Sequence, residues 1–588
     1  MRLRQMICAV LALGVLAASA RAGTDLMSQD PVLEPPVVRL VFKARSFELW
    51  LNTLAEGDVP ARAHAAHAIA LAAEAKGEAA VASRARIRVA LEKMPADAAH
   101  AAARHSLVQA LIYLDDRDAA ALLFKLNQAG DDDMIALSDE ALARWGYADA
   151  AAVWLKRLQD DKASVTVRRS AILALGKVRD RAAASQLAGL VTQEGVTLAL
   201  RYAAASALAA VDEKAATAAA RALLGRAGTA APAEVLAATL LRNAQDEAAV
   251  ALLSRLLQSR DAAVRVAAGR RLLNLAPEKV VAAAPQLAEG DGPLRLLAVE
   301  ALATKGVSAD LALLARLLQD QLGEVRRAAQ GALRRAAVDD AARAKVLRAV
   351  ATLDDSSLGV IQCERLVLRA ELGDGAAIPL IVRGFESTTP GEGARAALAL
   401  QAGYRHWPAE EQARVAKGLA DALERRGKAL ENPPKGMTPQ SLEGFSEDLA
   451  VMSQVAGVLR LRQASTVLEG HVKRTMLDER TRSAACWALG KMHEGSGDKR
   501  VTRLLSERLL DRRDAPNIEH ERVRAMAGVG LSWIGGADAE GAINKVVDSD
   551  PPWVRVVARW HRVRTSGKAE GPVVVNRAAA PQFLEALD

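Results

Sequence analysis

Residues 251–269 read ALLSRLLQSRDAAVRVAAG, and residues 312–331 read ALLARLLQDQLGEVRRAAQG. The two stretches align without a gap at an offset of 61 residues. Each holds an apolar run, a short polar break, and a second run opened by the step Val-Arg. A repeat of this kind is one supersecondary unit that cannot bury its apolar face alone, so it must be covered by its neighbours.

The Val-Arg step can be followed outward in both directions. An arginine behind a small or apolar residue opens a second helix at Arg168 (TVRRSAILALGKV), Arg201 (ALRYAAASALAAV), Arg265 (AVRVAAGRRLLNL), Arg295 (PLRLLAVEALATK) and Arg326 (EVRRAAQGALRRA). The spacings are 33, 64, 30 and 31 residues. The long gap holds one further unit, PAEVLAATLLRNA, with Glu234 in the arginine's place. Later copies begin at Arg482, Arg524 and Arg555. Another helical run precedes each, as in RAAASQLAGLVTQ, KAATAAARALLGR and DEAAVALLSRLLQ. The offset of 61 is therefore two units of about 31 residues, each predicted as helix, turn, helix, turn. Counted from Arg168, apolar residues fall at −1, +3, +6 and +7 (Val167, Ala171, Ala174, Leu175), a stripe about 100° wide on a helix.

Composition agrees. Half of the 588 residues are hydrophobic, yet aromatics make up 3%. A core of Ala and Leu suits closely packed helices. The units resemble HEAT repeats, in the bacterial PBS-lyase-like variant, on the acid, the apolar-Arg step and the Ala-Leu-Gly ending seen in Asp161, Val167-Arg168 and Ala174-Leu175-Gly176. Ala488-Leu489-Gly490 and Ala301-Leu302 are similar endings. The resemblance implies an all-α fold, an alpha-alpha superhelix or HEAT-like solenoid, with second helices on its concave side. It is strong over 150–350, moderate over 355–425 and 450–565, and weak over 41–150. The expected layout is a signal peptide (1–22), an extended N-terminal arm (23–40), divergent helical repeats (41–150), a repeat array (151–430), a Pro-rich linker (431–447), C-terminal repeats (448–565) and a tail (566–588).

The leader MRLRQMICAVLALGVLAASARAG has basic Arg2 and Arg4, an apolar run and the small-x-small step Ala20-Arg21-Ala22, the pattern of a secretory signal peptide cleaved near Ala22. The expected location is periplasmic or extracellular. Losing Arg2, Arg4 and Arg21 takes the net charge from +8 to +5. That mild charge and the absence of Lys/Arg blocks point away from nucleic acid. No other apolar run is long enough for a transmembrane segment. Cys363 and Cys486 sit in helical runs and read as free, buried thiols rather than a disulfide framework.

The chain carries no G-x-S-x-G, P-loop, C-x-x-C or C-x-x-C-H motif. His64 and His67 share a helical face but supply half of a usual ligand set. His100 and His105 diverge by about 140° on a helix. His493-Glu494 and His520-Glu521 resemble the His-Glu pairs of deoxyhypusine hydroxylases, which imply a di-iron centre. That family has four such pairs and this chain two. Other relatives with these repeats attach bilins to phycobiliproteins, and nothing here marks that chemistry. The expectation is no catalytic residue, no metal and no cofactor.

What remains is the surface. The slot arginines are expected to bind acids or carbonyls at turns. Positions +1, +5 and +8 of second helices lie opposite the apolar stripe. They give Arg169, Tyr202, Arg270, Glu300, Arg327, Arg334, Trp487 and Trp560 as candidate binding residues on the concave face. Arg and Trp are enriched among interface anchors. The expected function is an exported scaffold for a protein or peptide partner. The alternatives are a metal- or cofactor-handling enzyme of hydroxylase-like or bilin-lyase-like type, and a purely structural envelope spacer.

Overall fold

In a computed structural model, residues 25–41, 44–226, 231–304, 310–351, 362–473, 477–512 and 519–578 are described. The leader, with its expected cleavage site, and the tail beyond 578 lie outside them. The chain is an all-α solenoid of stacked helix pairs. It divides into two compact units. One comprises residues 38–307 and 576–588, the other residues 1–37 and 308–575. The division cuts through the array 151–430 at 307/308, away from the Pro-rich segment.

In the first unit, second helices pack side by side in chain order: Asp132–Trp145 (α1), Val165–Val178 (α3), Leu198–Val211 (α5), Ala231–Leu240 (α6), Ala262–Leu275 (α7) and Gly292–Leu302 (α8). First helices such as Ala150–Gln159 (α2) and Ala184–Thr192 (α4) cover them from one side. The helices Val59–Glu74 and Ala101–Tyr113 continue the layer toward the N-terminus, so the divergent region 41–150 stacks with the rest of this unit. In the second unit the corresponding layer includes Gly323–Ala336 (α9), Pro439–Val458 (α10), Glu479–Met492 (α11), Glu521–Ile534 (α13) and Pro552–Ser566 (α14), with Lys499–Leu509 (α12) among the first helices.

Local chemistry sets the boundaries. Asp131, Ser164, Asp291 and Asp478 each cap a helix by accepting the backbone N–H three residues on. Helix α10 begins with Pro439 at its first position behind the cap Thr438. Residues 439–447, expected in a linker, are therefore helical, because proline at that position starts a helix rather than breaking one.

Five of the slot arginines close their turns with short bonds to carbonyls. Arg201 Nε donates to the Val191 carbonyl at 2.9 Å, and Arg524 Nε to that of Leu509 at 2.9 Å. Arg295, Arg326 and Arg482 reach the carbonyls of Gly290, Asp320 and Leu477 at 2.7, 2.8 and 2.9 Å. These are carbonyls at or just beyond helix ends, which have no partner inside the helix. Glu234, the exception in the slot, accepts a hydrogen bond from Ser259 Oγ at 2.5 Å instead.

Small residues let the second helices approach. A Cβ on Gly176 would stand 2.8 Å from Ala207 Cβ and 2.9 Å from its Cα. Gly490 of α11 is pressed in the same way against the Gly530 backbone of α13.

Candidate binding face

In the first unit the open side of α1, α3, α5 and α6 forms a groove of about 1070 Å³. Arg169 and Tyr202, both one residue past the slot, line it. Val165, Leu173 and Leu198 stand beside them with 44–51% of their surfaces exposed, and Tyr202 is 51% exposed. Arg144, Arg169 and Lys177 against Glu140 make the wall basic. The floor is held from below. Asp139 of α1 is fully buried and accepts from Trp154 Nε1 (2.7 Å), Ser170 Oγ (2.7 Å) and Asn127 Nδ2 (2.8 Å), with Arg157 at 3.3 Å. One carboxylate thus ties α1, α2 and α3 together, the last through Ser170, which lines the groove next to Arg169 in the chain. Of the other candidates in this unit, Arg270 is exposed and Glu300 half-buried, and neither lines the groove.

The second unit holds Arg327, Arg334, Trp487 and Trp560. Arg327 is exposed on α9, and Arg334 pairs with Glu371 at 2.7 Å. Trp487, expected as a projecting anchor, is 1% exposed. Two things cover it. Its ring stands edge-on to Trp533 of α13 at 5.6 Å, and Trp533 in turn meets Trp560 of α14 at 6.4 Å. Three indoles thus run across three successive second helices. The other cover is the N-terminal arm: Trp487 Nε1 donates to the Asp30 carbonyl at 2.6 Å.

Residues 25–34 lie along this face, and the arm expected to be extended instead turns through a 3-10 helix at Leu26–Ser28, capped by Asp25, before it straightens from 32. Met27 is buried in the core of the unit, and Pro31 is buried beside it. The Leu26 N–H donates to Gln454 Oε1 at 2.8 Å, and Gln454 Nε2 donates to Asp25 at 3.1 Å. Three acids meet three bases: Asp25 with Arg522 at 2.9 Å, Asp30 with Lys491 at 2.5 Å, and Glu34 with Arg559 at 2.8 Å. The Lys491 ammonium also sits 4.0 Å from the Trp533 ring centre, a cation–π distance. Trp533 and Lys491 both stand nine residues past their slot arginines, a position the +1, +5, +8 reading leaves out.

No protein-family model matches the chain, and no curated protein does. Among solved structures, importin beta crystallised in an ammonium sulfate condition superposes with a TM-score of 0.54 at 13% identity, covering 94% of this chain and 82% of that one. The fold is that of a HEAT-like repeat solenoid. Kap95p, from a structure concerned with its binding to RanGDP, is also similar, with a TM-score of 0.46, 12% identity, and 92% and 84% covered. Kap121p gives 0.39 and 10%, with 89% and 75% covered. At these identities the likeness is one of fold.

The histidines of this HEAT-like solenoid have local tasks. His100 contacts Asp97 at 2.7 Å and Arg62 at 3.4 Å. His64 and His67 are exposed on their helix. His493 is buried against Ser465 Oγ at 3.1 Å, and Glu494 pairs with Arg460. His520 caps α13, and Glu521 accepts the Trp553 N–H at 2.7 Å. The two His-Glu steps are thus engaged in caps and ion pairs. Among the described residues, no three His, Cys, Asp or Glu side chains gather as a metal site, and no helix is long and apolar enough to cross a membrane. Cys363 and Cys486 are free thiols; Cys486 is buried as expected and Cys363 only half-buried, and desolvation pushes both up to about 12.

Proposed function

We propose that this HEAT-like solenoid, of the bacterial PBS-lyase-like kind, is an exported scaffold that binds a protein or peptide partner on the concave face of its second helices. The groove of α1, α3, α5 and α6 carries the reading. It combines exposed Leu173, Leu198 and Tyr202 with a basic rim. Single exposed apolar residues are ordinary, but a contiguous apolar cleft rimmed by polar groups marks an interaction surface. The basic wall suits an acidic or extended partner, with Arg169 and Tyr202 as anchors. The protein acts by holding its partner and performs no reaction on it. The leader pattern supports export.

Photocrosslinking tests this. A benzophenone amino acid at Tyr202 should trap a discrete partner in cells, and the same group at exposed Glu247 of a first helix should not. Arg169→Ala with Lys177→Ala should weaken the adduct. Equal yields from both positions would refute the assignment of the face. Sequencing the mature N-terminus from the periplasmic fraction should give Gly23 as the first residue.

A further inference from the structure

The arm on the second unit has the features of a bound peptide. Its backbone is read by side chains: Gln454 takes the Leu26 N–H, and Trp487 Nε1 donates to the Asp30 carbonyl. Such contacts read backbone groups, here on a chain that turns once at Leu26–Ser28 and runs without regular structure from 32, so they do not depend on its side chains. Specificity comes from the three charge pairs at Asp25, Asp30 and Glu34, every one with the acid on the arm and the base on the helices.

The arm also fits imperfectly. Beside Met27, Pro31 and Leu33 an apolar groove of about 460 Å³ remains, walled by Ala525, Met526 and Trp553. Interiors built for permanence are packed to crystal-like density. A segment serving only as a strap would be expected to fill this space. Val32, between the two inward residues, instead points to solvent at 77% exposure.

We propose that the face formed by α10, α11, α13 and α14 is a binding site for a short acidic segment of a partner protein, which residues 25–34 occupy as an internal stand-in and which the partner displaces. The partner would place acids against Lys491, Arg522 and Arg559 and a larger apolar side chain in the groove beside Met526. The face then has two states. In the closed state the arm covers Trp487. In the open state Trp487 and Lys491 face the partner. This site lies on the other unit from the groove of Tyr202, and its test uses purified protein, so either reading can fail without the other.

The full chain is prepared with a weakened arm (Met27→Ser, Asp30→Ala) and compared with the unaltered chain. The probe is a fluorescein-labelled synthetic peptide of sequence DLMSQDPVLEPP. A tethered arm competes at an effective concentration near millimolar, so the weakened-arm chain should bind at least about tenfold tighter than the unaltered one. Lys491→Glu in that background should abolish binding, and a peptide with Asp30→Lys should restore it. A peptide with Met27→Phe should bind tighter than the original, since it uses the unfilled groove. Helix content by circular dichroism confirms that each variant is folded. A folded weakened-arm chain that ignores the peptide overturns the proposal. So does a Met27→Phe peptide that binds no better, which would make the arm a structural strap. A concentration-dependent dimer of the unaltered chain, formed by exchange of arms, would also overturn it.

Discussion

Gly176→Ala probes the packing on which the whole array rests. The new Cβ would lie 2.8 Å from Ala207 Cβ and 2.9 Å from Ala207 Cα. Carbon atoms prefer about 3.5–4.0 Å. Helices α3 and α5 must therefore part by roughly 0.6–1.2 Å, and the obstacle is partly backbone, which has no rotamer to turn away. Overpacking of this kind costs about 1–3 kcal/mol. Against it, replacing glycine in a helix interior gains about 1 kcal/mol from propensity. The net change should be a loss of about 0–2 kcal/mol. Gly189→Ala in α4 isolates the propensity gain, because its new Cβ meets nothing within 4 Å. That variant should be stabilised. The double change Gly176→Ala with Ala207→Gly should recover most of the loss, since it moves the methyl group across the interface. Hydrogen exchange on peptides from α3 and α5 reads the local stability directly. Equal gains from Gly176→Ala and Gly189→Ala, or no coupling with Ala207→Gly, would refute the close approach.

Other expectations follow from buried groups. Asp139→Ala strips the acceptor from Trp154, Ser170 and Asn127 and leaves Arg157 without its carboxylate, so the first unit should lose about 3–5 kcal/mol and Trp154 fluorescence should shift to the red; Asp139→Asn, which keeps an oxygen, should cost less. Burial lowers the pKa values of His493 and His561 from 6.5. The unfolded chain thus takes up protons before the folded one, and stability should fall as pH drops from about 6.5 toward the depressed values. Thermal melts at pH 7.5 and 5.5 should show this loss, and His493→Gln with His561→Gln should flatten it. Cys363 and Cys486, with thiols pushed up to about 12, should resist iodoacetamide at pH 8 in the native chain and react in denaturant.

The fold was legible because the same environment recurs every 31 or so residues. Arg201 and Arg524 lie more than 300 residues apart and make the same bond to the end of a first helix. A reader who aligns their flanks has in effect averaged over many copies of one packing problem. Unit boundaries were less legible. The Pro-rich stretch does interrupt the helices over 432–438, but Pro439 opens the next helix and no division between units falls there. The division at 307/308 falls inside the clearest repeats.

The candidate face was half legible, and the reason is range. Arg169 and Tyr202 are neighbours through helices adjacent in sequence, so slot positions sufficed to bring them into one groove. Trp487 was expected to project and is buried. Part of what covers it, Trp533, comes from the next repeat, but the other part lies 457 residues away, in a segment with no repeat and no helical period. Periodicity describes what a unit shares with its neighbours and is silent about a chain that returns from elsewhere. One signal was present. The arm carries Asp25, Asp30 and Glu34, and the second helices that receive it carry Lys491, Arg522 and Arg559. None of these three bases occupies slot 0, so none is explained by the turn-closing role of the slot arginines. For these three bases the arm supplies the partner.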